Sequence, residues 1–317
     1  MNMKKYFYLL LFPLFLVACG GSDSGDDPID GGGSSTEINT NKNNTTINKL
    51  YGRLEFPQLN QSGHSLVIIH LVPTYGLNYA VEWDTEKHAQ RWSCYQMHPG
   101  NKITNTKRFY DNSGNDFAQY PNDEALSKNY HFTQDPYWWS GYDHGHMCPS
   151  ADRLCSELAN YQTFFMTNMQ PQVNSFNAGV WSNMEQQVRN WNNDNFRDTL
   201  YVVKGGTIDK EEQIGAPNSR GVTNQYLGTG SNRIPVPKYF YMAVLCKKNG
   251  NRNQGYKAMA FWAEHKSNYS TELRKYVISI DELETLTGID FFCNLPDNIE
   301  NAVESQSKDA IVVDWGL

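Results

Sequence analysis

One short stretch limits what this chain can become. Over Tyr142–Arg153, an aspartate, two histidines and a glycine occupy four successive positions, Asp143, His144, Gly145 and His146. Packing alone rarely calls for such a grouping. Histidine titrates nearest neutrality and suits proton transfer or metal ligation. Gly145 lets the backbone come close to a neighbour or ligand. Pro149 ends any strand pairing here. Ser150 or Asp152 can then cap a helix expected over residues 152–165.

A second informative stretch follows. Asn168, Pro171 and Gln172 precede Asn177 and Gly179, which sit near the entry of a helix running to about Asn192. Trp181, Met184, Val188 and Trp191 recur at helical spacing and form one apolar face. Glu185 and Arg189, four apart, neighbour each other on a different face.

Together these blocks resemble the two signatures of the DNA/RNA non-specific endonucleases, the ββα-metal family that includes mitochondrial endonuclease G. The first signature is Asp-Arg-Gly-His with a Pro-x-x-Asp-Arg tail, matched by Asp143, Gly145, His146, Pro149, Asp152 and Arg153, with His144 in place of the family arginine. The second is matched in order by Asn168, Pro171, Gln172, Asn177, Gly179, Trp181, Glu185 and Arg189. A thinner likeness extends over roughly residues 65–300. It implies an α+β, ββα-metal (His-Me finger) fold, with a central, mostly antiparallel sheet flanked by helices.

The resemblance also implies the chemistry. The expected activity is Mg²⁺-dependent hydrolysis of DNA and RNA phosphodiesters, with Mn²⁺ as a substitute, little sequence preference and 5′-phosphate products. His146 is expected as general base and Asn177 as the metal ligand, an asparagine carbonyl suiting a hard cation that keeps several waters. Glu185 would hold waters of the ion's shell. Arg189 would stabilise charge on phosphate, Arg108 would contact the scissile phosphate, and Asn168 would join the catalytic group. Asp143, His144 and Gly145 would support the motif.

Rival readings accompany these. His144 and His146 share a strand face and suit zinc, but no third ligand stands at a typical spacing. Cys148 as a nucleophile lacks a protease-type thiol–imidazole spacing. Tyr137, Trp138, Trp139 and Tyr142 could stack unpaired bases or simply pack. From another class altogether comes a non-catalytic surface protein that captures nucleic acid or glycan on the same scaffold.

At the N-terminus, Lys4 and Lys5 precede an apolar run from Tyr6 to Val17. A bilayer takes roughly 20 apolar residues, so this run reads instead as a signal peptide over residues 1–18. Leu16-Val17-Ala18-Cys19 resembles a bacterial lipobox, which implies lipidation at Cys19 and an outer-membrane lipoprotein whose anchor is its membrane contact. Residues 19–50, rich in Gly, Ser, Asn and Asp, are expected as a flexible linker. The domain is expected over 51–317, and a homodimer is admitted. The net charge of −7 weighs against a sequence-reading nucleic-acid binder, but a nuclease needs only a local positive cleft. Setting Cys19 apart leaves five cysteines, an odd number whose connectivity spacing does not establish.

Strands are expected at His64–Val72 (buried), 80–83 and 91–97 (half-exposed), 201–207, 239–246 and 258–262. Residues 98–140 are expected as a long polar loop, and a helix opens at Asp281.

Overall fold

The computed structural model describes residues 38–250, 252–267 and 270–317. The expected signal peptide and Cys19 lie outside the described residues. Among the described residues no helix is long and apolar enough to cross a membrane.

Six long strands carry the fold: β1 (Ser65–Val72), β2 (Gly76–Asp84), β3 (Ala89–Met97), β6 (Thr199–Gly206), β7 (Tyr239–Lys247) and β8 (Tyr256–Glu264). With the short β9 (Val277–Ile278) they form one seven-stranded sheet in the order β1-β2-β3-β6-β7-β8-β9. Every pairing in it is antiparallel, which establishes the α+β class. Outside it, β4 (Asp143–His146) and β5 (Met169–Gln172) form a separate two-stranded ribbon.

The central strands are apolar on both faces because the sheet is covered on both. Alternate residues enter opposite cores, as strand geometry requires. Tyr79, Val81, Tyr95, Val202 and Met242 face the β4/β5 ribbon and α2 (Ser182–Trp191). Ala80, Cys94, Val203 and Ala243 face α3 (Ile280–Thr287) and α4 (Asp297–Glu304). A fifth helix, α5 (Lys308–Trp315), joins the first core through Ile311 and Trp315. Each fully buried large apolar side chain contributes about 1.5–3 kcal/mol, so this double core dominates stability.

Two strand expectations exchange places. β1 is the sheet's edge and exposes Leu66 and Leu71, whereas β2 and β3 are buried almost throughout. Alternation along β2 and β3 marks two cores of different depth, not one core and solvent.

The linker's expected end near residue 50 also moves back. Asn39 donates to the carbonyls of Cys293 and Leu295, Thr40 bonds Asp297, and Asn43 donates to Pro57 O. Small amides lacking apolar bulk dock here by hydrogen bonding to a helix end, a route composition did not reveal. Cys94, Cys148, Cys155, Cys246 and Cys293 are all buried and unbridged.

Gly205 shows how tightly the central strands sit. A Cβ there would lie 2.2 Å from Arg91 O and 2.5 Å from the Tyr241 hydroxyl. The first obstacle is backbone in a paired strand, so relaxation is costly. Gly205→Ala should lose about 3 kcal/mol, read as a lowered urea midpoint at unchanged m-value.

Candidate active site

The β4/β5 ribbon sets the site. His144 pairs with Pro171, Gly145 with Gln170 and His146 with Met169. At Gly145 a Cβ would fall 2.5 Å from the Gln172 side chain, which is buried. Glycine is therefore what allows the ribbon to close. Beyond His146, Asn168 clamps the chain. Its Oδ1 accepts from Cys148 N at 2.8 Å, and its Nδ2 donates to Cys148 O and Thr163 O, both at 2.8 Å.

The helix expected over 152–165 is shorter and starts later. A 3₁₀ turn at Ser150–Asp152 comes first, and α1 (Glu157–Gln162) is capped by Ser156, not by Ser150 or Asp152. The intervening residues are bound to the scaffold instead. Buried Arg153 donates to Asn78 O, Asp152 O and Gln96 O. Asp152 accepts from the Tyr95 hydroxyl at 2.9 Å and from Arg189 Nη1 at 3.2 Å. The Asp-Arg tail thus ties the motif to β2, β3 and α2.

A π turn over Asn177–Trp181 leads into α2, with non-helical Gly179 inside it. Such turns are rare and frequent at functional sites. Trp181 folds back beneath the motif and donates from Nε1 to His146 O at 3.3 Å.

These elements converge on a cleft of about 470 Å³. Its walls include Arg108, Tyr120, Asp143, His144, His146, Asn177 and Glu185. Sequence separations of up to 77 positions collapse into one concavity.

The His146 ring lies edge-on to Phe164, with centroids 5.0 Å apart. Its Nε2 is buried and has no hydrogen-bond partner. Burial first, then the Arg108 and His144 charges, push its pKa down to about 3, against a hydrogen bond to the His144 backbone. The imidazole is neutral at physiological pH.

Asn177 and Asp143 are a matched pair. Asp143 Oδ2 accepts from Asn177 Nδ2 at 3.0 Å and from Asn174 Nδ2 at 2.9 Å. The Asn177 amide is thereby oriented, and its carbonyl oxygen remains for a ligand. Asp143 supports Asn177, where the sequence pointed to the motif backbone or His144.

Glu185 rests on a cation the sequence reading passed over. Lys204 Nζ lies 3.2 Å from Glu185 Oε1, and the lysine side chain is fully buried. Burial raises the Glu185 pKa, with Lys204 as the chief opposing charge. The signal was present in the sequence: a lysine inside the apolar run of β6 needs a buried partner.

Arg189 does not line the cleft. It sits 3.2 Å from Asp152 and 3.8 Å from Glu185, behind the acidic wall. Asn168 is fully buried with its amide saturated, so its expected catalytic place is corrected to a positioning one. Arg108 does reach the cleft, held over the Phe164 ring at 4.7 Å and bonded to Tyr120.

His144 is gripped on three sides. It stacks on Tyr120 at 3.8 Å and on Tyr137 at 4.1 Å, while Nε2 meets Asp135 Oδ2 at 3.0 Å. Among the described residues, no group of three His, Cys, Asp or Glu ligands forms at the cleft, which leaves the zinc reading without a third ligand. Cys148 is buried and its thiol is pushed up to about 12 by burial, unlike a nucleophile. The aromatics ahead of the motif divide: Tyr137 and Tyr142 are buried, Trp138 and Trp139 exposed.

Comparisons with known proteins agree with this geometry. The sequence profile described as DNA/RNA non-specific endonuclease matches residues 71–298. A nuclease of Nostoc sp. is 30% identical over 234 residues, spanning 72% of this chain and 76% of that protein. The mitochondrial nuclease EXOG of Xenopus laevis is 25% identical over 221 residues; the match spans 69% of this chain but 58% of the frog protein. In fold, the chain resembles EndoG from its complex with EndoGI, at TM-score 0.55 and 20% identity, covering 68% of this chain and 84% of that one.

Proposed function

The chain belongs to the DNA/RNA non-specific endonuclease family, and from that premise we propose a metal-dependent endonuclease that hydrolyses DNA and RNA alike, with His146 as its general base. The observation that carries this reading is the neutral His146 imidazole on the wall of the same cleft as Asn177 and Glu185.

The residues fit a hard divalent cation of the Mg²⁺ type. The Asn177 carbonyl, left unclaimed once Asp143 has taken its amide, would be the direct ligand. The Glu185 carboxylate, facing the Lys204 ammonium, would hold water of the ion's shell. Bound there, the cation supplies Lewis acidity and charge neutralisation at phosphate. The protein does the rest. The His146 imidazole takes the proton of the attacking water. The entering phosphate's negative charge raises the strength of that base, opposing the burial that weakens it in the free cleft. Arg108 receives the scissile phosphate, its guanidinium positioned by Phe164 and Tyr120. Arg189 steadies Glu185 and Asp152 from behind. His144, clasped by Tyr120, Tyr137 and Asp135, anchors the motif where the family signature has arginine.

Arg108 gives the cleft of an acidic protein a local positive charge that suits a polyanionic substrate. The proposal extends to the location, a lipid-anchored protein of the outer membrane, on the strength of Cys19 and its flanking sequence.

The test is direct. The purified chain should nick supercoiled plasmid and degrade RNA with Mg²⁺, and EDTA should abolish both. Retention of nucleic acid without cleavage would select the non-catalytic binder instead. Cleavage undiminished by EDTA would remove the metal from the scheme.

A further inference from the structure

A second cluster of charge lies on the opposite side of the sheet from the cleft, where α3 and α4 cover the other core. Asp281 and Glu284 of α3 and Glu304 of α4 each offer a carboxylate oxygen, and these oxygens lie within 4.8 Å of one another. Asp290, in the connection between the helices, and Glu300 of α4 stand beside them. Both accept from a single amide, Asn41 Nδ2, at 3.1 and 2.8 Å.

Two observations separate this from an ordinary acidic surface. Glu304 is only 6% exposed, yet its Oε1 has no hydrogen-bond partner. The Asn41 carbonyl oxygen is likewise buried and unpartnered. Desolvating a carboxylate oxygen with nothing to receive its charge is expensive. The charges bearing most strongly on Glu304 are other carboxylates, Glu284 first and then Glu300, Asp290 and Asp281. No cationic side chain forms an ion pair with Glu284, Glu300 or Glu304 among the described residues, where acidic neighbours again supply the charges acting on them.

We propose that the α3–α4 seam is a structural Ca²⁺ site, formed by Asp281, Glu284 and Glu304, that fastens the incoming segment around Asn41 to the domain. The chemistry selects the ion. The ligands are all hard oxygens, with no histidine or thiolate among them. Ca²⁺ takes six to eight oxygens in flexible geometry, whereas Mg²⁺ demands a near-ideal octahedron and keeps most of its waters. A seam of carboxylates on two helices, all within 4.8 Å, suits the larger, more tolerant cation. Asn41 makes the site a clasp as well as a sink for charge. It bridges Asp290 and Glu300, so an ion held beside them secures residues 38–44 against the helix pair.

The site stands apart from the nuclease cleft, and its test keeps the two distinct. The full chain carrying Asn177→Ala, with the cleft ligand removed, is stripped with EDTA and then melted with and without Ca²⁺. At about 100 times Kd, Ca²⁺ should raise Tm by roughly 5 °C, and calorimetric titration should find one ion per chain. On the same background Glu304→Gln should behave in the opposite way. Relieved of repulsion, it should melt higher than its parent in EDTA and gain nothing from Ca²⁺. Glu284→Gln gives the same reading should Glu304→Gln fail to fold. Neither substitution should alter Mg²⁺-dependent plasmid cleavage when placed in the otherwise wild-type chain. A flat Ca²⁺ response in the Asn177→Ala chain, or an equal rise after Glu304→Gln, overturns the proposal.

Discussion

His146→Ala should lower plasmid and RNA cleavage by about a thousandfold while leaving the fold intact. A positioned general base contributes about 10²–10⁴ in rate, and nothing else on the cleft wall offers a comparable lone pair. Asp143 is committed to Asn174 and Asn177, Glu185 to Lys204, and His144 to Asp135. Stability should hold because the loss is confined to one hydrogen bond with the His144 backbone and edge contacts with Phe164 and Tyr120.

A pH effect distinguishes this loss from a general disturbance. The folded pKa of His146, about 3, lies below its unfolded value near 6.5. Between those two values the unfolded chain binds the proton and the native chain does not, so native stability falls as pH drops through that window. The penalty is at most about 1.4 kcal/mol per pH unit. His146→Ala removes it. In EDTA, the variant should therefore lose less stability than wild type between pH 7 and pH 5, by urea titration at each pH. Full cleavage activity in the folded variant would end the assignment of His146 as base. An unchanged acid sensitivity would show that His146 is not held neutral by burial.

What the sequence made legible follows from where its information is local. The Asp143–His146 stretch could be read because a catalytic histidine, its supporting aspartate and the glycine that closes the ribbon are neighbours on one strand. The apolar stripe of Trp181, Met184, Val188 and Trp191 was legible because helical period writes burial into spacing. Lys204 was legible only in half: a lysine in an apolar strand signals a buried partner, but that the partner is Glu185 is decided by folding. Asn168 was legible only as a polar group of the signature: whether such an amide faces the cleft or holds backbone is decided by folding. His144 was ambiguous for a related reason. Its clasp comes from Tyr120, Asp135 and Tyr137, residues of a stretch that sequence could describe only as a long polar loop. The segment from 38 to 50 escaped because it docks by amides on distant carbonyls, and hydrophobic periodicity has nothing to say about such contacts.

Lys204→Met is expected to be the most damaging single change outside the reacting groups, through both stability and activity. The ammonium lies 5.6 Å from the Tyr95 ring and 5.6 Å from the Trp181 ring, with its side chain fully buried and Nζ on Glu185. Methionine matches its length and suits an aromatic surround, so the change deletes a charge and leaves little void. Removing one partner of a buried pair costs about 3–5 kcal/mol, because the other charge is left uncompensated. Here Arg189 remains 3.8 Å from Glu185, while Asp152 opposes it, so the lower end of that range, about 3 kcal/mol, is expected at neutral pH. The sign of the pH dependence follows from Glu185. Its pKa is already raised by burial, and losing Lys204 raises it further. A carboxyl whose folded pKa exceeds its unfolded value destabilises the native state increasingly as pH rises above the unfolded value. The deficit of Lys204→Met should accordingly be large at pH 8 and small near pH 5. Adding Glu185→Gln should restore much of the stability and remove that pH dependence, since the buried anion that remains, Asp152, keeps its Arg189 partner. Activity should not return with it. With Glu185 protonated or neutralised, the cation loses the carboxylate that orders its waters, and the Mg²⁺ requirement should rise at least about tenfold. If instead the double substitution restored cleavage along with stability, Glu185 would be a structural partner of Lys204 alone, and the metal would rest on Asn177 without it.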